Sequence, residues 1–167
     1  DFISIDLPVI APYDWDHIYN FLKNHAMLGV EECVDNKYRR AFAIEDTTGA
    51  FEVTYDEKSE QLKARIAISN PIHLRVVIEK IRDLFDVRLN PHAHLDDLLG
   101  KDPISVHYKK NLGIRVPGAW DAFETAICII LGQLVSVEQA RFKVQKLVSQ
   151  FGSAVKTGNY DVSCWHQ

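Results

Sequence analysis

Residues 38–68, "YRRAFAIEDTTGAFEVTYDEKSEQLKARIAI", hold three strand-like runs whose spacing decides the fold. The runs are Tyr38–Ile44, Ala50–Tyr55 and Gln61–Ile68. Phe51, Val53 and Tyr55 alternate with Glu52 and Thr54, and Leu62, Ala64, Ile66 and Ile68 alternate in the same way. Successive side chains on a strand point to opposite faces, so each run offers one face to a core. The connections are short: Asp46-Thr47-Thr48-Gly49 is expected as the first turn, and Asp56–Glu60 as the second. Short turns between alternating runs imply an antiparallel meander with one buried face.

The flanking segments supply the rest of a layered unit. Upstream, Ile3, Ile5 and Leu7 alternate with Ser4 and Asp6, a strand that Pro8 ends. In "PYDWDHIYNFLKNHAMLG", Asp14 is expected to cap a helix with Trp15, Ile18 and Leu22 on one face, Phe21 beside that stripe and Gly29 as its stop. Downstream, Asn70-Pro71 opens a second helix, whose stripe is Leu74, Val77, Ile78, Ile81, Leu84 and Phe85. The order strand, helix, several strands, helix predicts an α+β arrangement, two helices on one face of an antiparallel sheet.

Beyond residue 100 the pattern changes. Pro91–Leu99 is expected as a short helix stopped by Gly100, and Lys101–Gly118 as a loop or linker. From Trp120 onward the strand signals stop. Phe123, Ile127, Ile130, Leu131 and Leu134 recur at helical spacing, while Ala122, Ala126, Cys128 and Ile129 fill the other faces. That helix is predicted to be buried nearly all round. Ser136-Val137-Glu138-Gln139 fits a capping box for a second helix, which would bury Ala140, Val144, Leu147, Val148 and Phe151 before Gly152 closes it. Gly132 is expected to supply the bend between them, with Gln133 and Leu134 at its tip. The predicted organisation is 1–100 as an α+β unit, 101–118 as a linker and 119–167 as the start of an all-helical unit.

Charge follows the same division. Residues 1–100 carry 11 Lys and Arg against 18 Asp and Glu, whereas residues 101–167 carry 8 against 5. The whole chain is at −4, which argues weakly against a nucleic-acid partner; the basic excess of the second part can serve a polyanion, although a solvated surface is its more common meaning. No segment is apolar for long enough to span a membrane. Cys33, Cys128 and Cys164 form no CxxC pair and read as reduced thiols. His92-Ala93-His94 with Asp96 or Asp97 is a weak metal candidate, since residues two apart do not share a helix face; a surface loop is the better reading. No phosphate-binding glycine pattern occurs, and nothing orders Ser, His and Asp into a triad. No cofactor and no metal are expected.

The break "IILGQLVS", Ile129–Ser136, carries the functional signal. By local pattern Leu134 continues the helix stripe into the core. The competing reading is a wedge. Enzymes that act on a base must rotate it out of the duplex, and an inserted apolar side chain fills the gap. Gln133 could then hydrogen-bond the orphaned base, and the capped helix start at Ser136 could offer N–H groups to a phosphate.

The segment "RVPGAWDAFETAICIILGQLVSVEQA" resembles the start of the catalytic domain of AlkA-type 3-methyladenine DNA glycosylases, members of the helix-hairpin-helix glycosylases. "PYDWDHIYNFL" and "IRDLFDVRLNP" resemble the N-terminal domain of the same family, in the same order. The resemblance spans nearly all of residues 8–152. It implies a TATA-binding-protein-like α+β unit, and a DNA repair hydrolase that flips and excises alkylated purines such as 3-methyladenine from double-stranded DNA. It implies that Leu134 is the inserted residue, Gln133 its neighbour at the lesion and Phe21 an aromatic wall of the base pocket. For Leu134 this reverses the local reading; for Phe21 a core position stays open. It also places the Gly-x-Gly hairpin and the catalytic Asp in sequence that these 167 residues do not contain. The chain is therefore expected to be an inactive fragment of a bacterial, cytoplasmic enzyme, with no catalytic residue of its own. Its helices are expected to pack on each other, on the α+β unit or on another copy. A non-catalytic scaffold module, or the glycosylase part of an alkylation-response regulatory fusion, are the alternatives.

Overall fold

The computed structural model describes residues 2–93, 107, 109–157 and 160–164, with side chains described up to Val155. His94, Asp96, Asp97, Gly100 and residues 101–106 and 108 of the expected linker lie outside the described residues.

Five strands form one antiparallel sheet. They are β1 (Ile3–Pro8), β2 (Glu31–Val34), β3 (Lys37–Ile44), β4 (Thr47–Asp56) and β5 (Gln61–Ile68), in the order β1-β5-β4-β3-β2. Ile3 pairs with Ile66, Phe51 with Ile66 on the other side, and Arg40 with Phe51, so one face is apolar except for Arg40. Helices α1 (Trp15–His25) and α2 (Leu74–Leu84) cover that face. Ile18, Leu22, Val77, Ile81 and Leu84 share one buried cluster with Leu7, Tyr38, Phe42, Phe51, Leu62 and Ile66. The expected α+β architecture is thus the observed one. Asp14 caps α1, its carboxylate accepting from His17 N at 2.9 Å. Asn70 caps the turn at Pro71–His73 that leads into α2.

Two details of the meander differ from the sequence expectation. The first turn is only Glu45-Asp46, because Ile44 already pairs with Thr47. Thr47, Thr48 and Gly49 belong to β4. Gly49 is there for close approach: a Cβ on it would stand 2.3 Å from Ala67 O and 2.4 Å from the Phe42 ring. The second difference is β2, which joins β3 through Asp35-Asn36. Both residues have left-handed backbone (φ 52° and 57°), the geometry whose twist matches a two-residue hairpin.

The described segment before residue 121 is bound to the α+β unit. The buried Arg115 guanidinium donates to Ile10 O at 2.7 Å and Pro12 O at 2.9 Å. Asp14 N donates to Gly113 O at 2.8 Å. Trp120 joins the main core, against Phe42 and Phe51.

Two further helices follow, α3 (Ala122–Gly132) and α4 (Val137–Phe151). Val144 and Val148 of α4 bury against Met27 and Val30, with Cys128 and Leu131 of α3 at the edge. The expectation that α3 is buried all round is overturned. None of its residues is fully buried, and Phe123, Ile129 and Ile130 are more than half exposed. Its apolar contacts to the second core cluster come from Cys128 and Leu131, and Glu124 pairs with Arg40, so an apolar sequence here does not mean an enclosed helix. Phe151 of α4, expected in the core, is exposed for the same reason. A hairpin of β6 (Ser153–Thr157) and β7 (Tyr160–Cys164) follows where only helices were expected, and Val155 covers Ala41 on the outer face of the sheet.

Candidate functional site

The corner between α3 and α4 is built by its two ends. Gln133 closes α3: its N–H donates to Ile130 O at 3.2 Å, and its side-chain amide donates to Ile129 O at 3.2 Å. Ser136 opens α4, its Oγ accepting from Gln139 N at 3.2 Å. Between them Leu134 takes a left-handed backbone, φ 59°, which disfavours any residue with a Cβ. Gly132, where the bend was expected, is instead an ordinary last residue of α3. The chain turns at Leu134.

Leu134 is fully exposed, at 103% of its reference surface. The core position that local pattern favoured is therefore excluded. A large apolar side chain held out into solvent by strained backbone has no packing role within this chain. Gln133 and Ser136 are exposed on either side of it. The sequence-predicted trio thus stands together at one tip. The first N–H groups of the 15-residue α4 lie at that tip, and Arg141, Lys143 and Lys146 follow along the helix.

Phe21 is not a core residue either; it is 44% exposed. Its ring stacks on His25 with centroids 4.3 Å apart, and a His25 ring nitrogen meets Phe21 O at 2.8 Å. His25 lines a mainly apolar cleft of about 290 Å³ between the end of α1 and the two later helices. Gly132 and Val135, next to the tip, line the same cleft. Phe21 thus reaches the cleft through His25, a partner that sequence reading passed over although the four-residue spacing places both on one helix face.

Sequence reading also missed the ion cluster at the start of α3. Arg40, on β3, alternates with Tyr38 and Phe42 and so points into the core, where it is 2% exposed. It pairs with the carboxylates of Glu31 on β2 and Glu124 in the first turn of α3. Tyr38 Oη donates to the same Glu31 oxygen at 2.7 Å, and Met27 N donates to the other at 2.8 Å. Burial pushes the Glu124 carboxyl above its usual range, with Arg40 pulling the other way. Burial also pushes the Cys33 thiol up to about 12, which leaves it protonated and a poor nucleophile at neutral pH. Among the described residues no three His, Cys, Asp or Glu side chains converge as a metal site. His92 instead bonds to Ala11 O at 3.2 Å. No helix of the described residues is long and apolar enough to cross a membrane.

Residues 4–121, from β1 to the residue capping α3, match the AlkA N-terminal domain family. The chain belongs to this family. Two curated relatives extend the likeness past residue 121. DNA-3-methyladenine glycosylase 2 of Escherichia coli (strain K12) is 30% identical over 141 residues, 84% of this chain and 48% of that protein. A probable bifunctional transcriptional activator/DNA repair enzyme AlkA of Mycobacterium tuberculosis is 28% identical over 154 residues, 92% of this chain and 30% of that protein. The chain therefore spans half or less of the length of these relatives. Among solved structures, the 3-methyladenine DNA-glycosylase from Archaeoglobus fulgidus superposes over 96% of this AlkA-family chain and 54% of its own, with a TM-score of 0.76 at 18% identity. The Clostridium acetobutylicum 8-oxoguanine glycosylase/lyase, solved with dsDNA, superposes over 87% and 48% with a TM-score of 0.56 at 16% identity. Both likenesses establish the fold, a sheet unit followed by helices.

Proposed function

We propose that this chain is the lesion-engaging part of a DNA repair glycosylase of the bacterial cytoplasm. The protein that contains it would flip alkylated purines such as 3-methyladenine out of duplex DNA and hydrolyse the N-glycosidic bond. The observation that carries this reading is Leu134. A fully exposed leucine on a left-handed corner is what insertion into a base stack requires: an apolar wedge, preset and not sunk in the core. Gln133 supplies an amide beside it. Ser136 and the α4 start supply donors for a phosphate, and the lysines beyond add a favourable field. Phe21, stacked on the His25 that lines the cleft, supplies an aromatic face suited to stacking on an electron-poor, cationic base. Such a base is already a good leaving group. The chemistry left to the enzyme is a carboxylate that supports the developing oxocarbenium charge and the attacking water. Sequence outside these residues would supply it.

The test compares this chain with the full-length protein that contains it on duplex DNA carrying 3-methyladenine or hypoxanthine. Base release by the full-length protein, none by this chain, and a weakened Leu134→Ala full-length protein is the expected pattern. Binding of DNA or a protein partner without any base release would leave only the scaffold reading.

A further inference from the structure

We infer that Arg40 is a positioning residue, one buried guanidinium that sets where the Gln133–Leu134 tip stands relative to Phe21. The inference rests on the DNA-engaging reading above. Its basis is how α3 is held. Not one α3 side chain is fully buried, and apolar packing holds the helix at Cys128 and Leu131, toward its far end. The directional contacts are at its first turn. Glu124 pairs with Arg40, and Asp121 caps the helix by accepting from Glu124 N at 2.9 Å. The Trp120 ring lies under the Arg40 guanidinium at 5.4 Å, and Lys80 Nζ donates to Trp120 O at 2.6 Å. From Glu124 the helix runs to Gln133, about 14 Å at 1.5 Å per residue, so a tilt at the first turn is carried to the tip.

The other side of the corner is held by the same ion cluster. Arg40 pairs with Glu31, and Glu31 accepts from Met27 N. Met27 ends the segment that leaves α1 and packs against Val144 and Val148 of α4. One guanidinium therefore bridges α3 directly, through Glu124, and α4 indirectly, through Glu31 and Met27. Phe21 sits on α1, immediately before that segment. A buried ion pair is a poor source of net stability compared with apolar packing, yet its geometry is demanding. Arg is suited to this place because its planar fork serves two carboxylates at once, which a lysine ammonium does so less rigidly.

Two variants of this chain test the inference, Glu124→Gln and Arg40→Lys. The first readout is ¹⁹F NMR of 5-fluorotryptophan protein, with resonances assigned by single Trp→Phe replacements. The second is the ratio of Kd values for undamaged duplex and for duplex carrying a tetrahydrofuran abasic site. In both variants the Trp120 resonance is expected to shift or broaden while Trp15, across the core, stays put. The Kd ratio should fall on the order of fivefold while the affinity for undamaged duplex holds. An unchanged ratio with a displaced Trp120 would reduce Arg40 to a structural residue, and Trp15 moving together with Trp120 would show general loosening; either overturns the inference. Should the unaltered chain not distinguish the two duplexes, the DNA reading fails by itself. The resonances then decide, and an unmoved Trp120 in Glu124→Gln rejects the positioning role.

Discussion

Arg40 and Glu124 stand 84 residues apart in sequence and form an ion pair inside the protein, joining the sheet to the first turn of α3. Glu31 pairs with the other terminal nitrogen of the same guanidinium. Removing the shared cation leaves two largely buried carboxylates without their counter-charge, whereas removing Glu124 leaves Arg40 still paired. Arg40→Ala is therefore expected to lose about 3–5 kcal/mol of unfolding free energy, the usual penalty for orphaning buried charge. Glu124→Ala should lose clearly less. Urea titrations followed by circular dichroism would measure both, and equal losses would contradict a guanidinium shared between two partners.

This pair shows what was legible in the sequence. The sheet was, because Phe51, Val53, Tyr55, Leu62, Ala64 and Ile66 alternate as a half-buried strand must, and all but Tyr55 are fully buried. Strand β2 was not. Glu31-Glu32-Cys33-Val34 has no apolar alternation, and its place comes from pairing with β3 and from the buried bonds of Glu31. Arg40 could have been found, since the alternation of Tyr38, Arg40 and Phe42 already turned it inward. For α3 the pattern misled: hydrophobicity reports the wish to be buried, and burial needs a neighbour. At Leu134 periodicity pointed to the core and resemblance pointed to the surface, and the structure puts it at the surface. Nothing in residue type announces that a leucine will take a left-handed backbone.

The glycines divide by contact. A Cβ on Gly49 meets Ala67 O and the Phe42 ring at well under 3 Å, and the carbonyl belongs to the strand paired with β4. Gly49→Ala is expected to destabilise by about 3 kcal/mol or more, at the upper end of over-packing. A Cβ on Gly132 would meet only Ala140 Cβ, at an ordinary 3.8 Å. Gly132→Ala should then be neutral, or gain up to about 1 kcal/mol from helix propensity. Urea midpoints of the two variants test this, and a damaging Gly132→Ala would return the bend to Gly132.

At the tip, stability and binding should separate. Leu134 buries nothing, and its left-handed backbone is unfavourable by roughly 1–2 kcal/mol. Leu134→Gly relieves that strain, less roughly 0.5–1 kcal/mol for the freer unfolded chain. Leu134→Ala keeps the strain and should melt like the original. Both variants lose the wedge. Preference for abasic over undamaged duplex, measured by fluorescence anisotropy, is expected to fall in both while the melting temperature rises or holds. A large drop in melting temperature for either variant would show that Leu134 packs after all.

Acid sensitivity should have one identifiable contributor in the β4–β5 turn. Asp56 accepts from Lys63 Nζ at 2.6 Å and from Lys58 N at 3.0 Å. The Lys63 bond first, then the Lys58 N–H, hold its carboxyl at about 2, below the ordinary 3.8. A carboxyl whose folded pKa is depressed stabilises the fold above its unfolded value, and that contribution is lost as pH falls toward the folded value. The window here runs from about pH 4 down to about pH 2. Asp56→Asn removes the charge and with it this dependence. The difference in urea midpoint between the original chain and Asp56→Asn is therefore expected to be full at pH 7, to shrink below pH 4 and to vanish near pH 2. Comparing the two chains cancels the titration of every other carboxylate. A difference that stays constant through that window would mean that the Lys63 bond does not persist in solution.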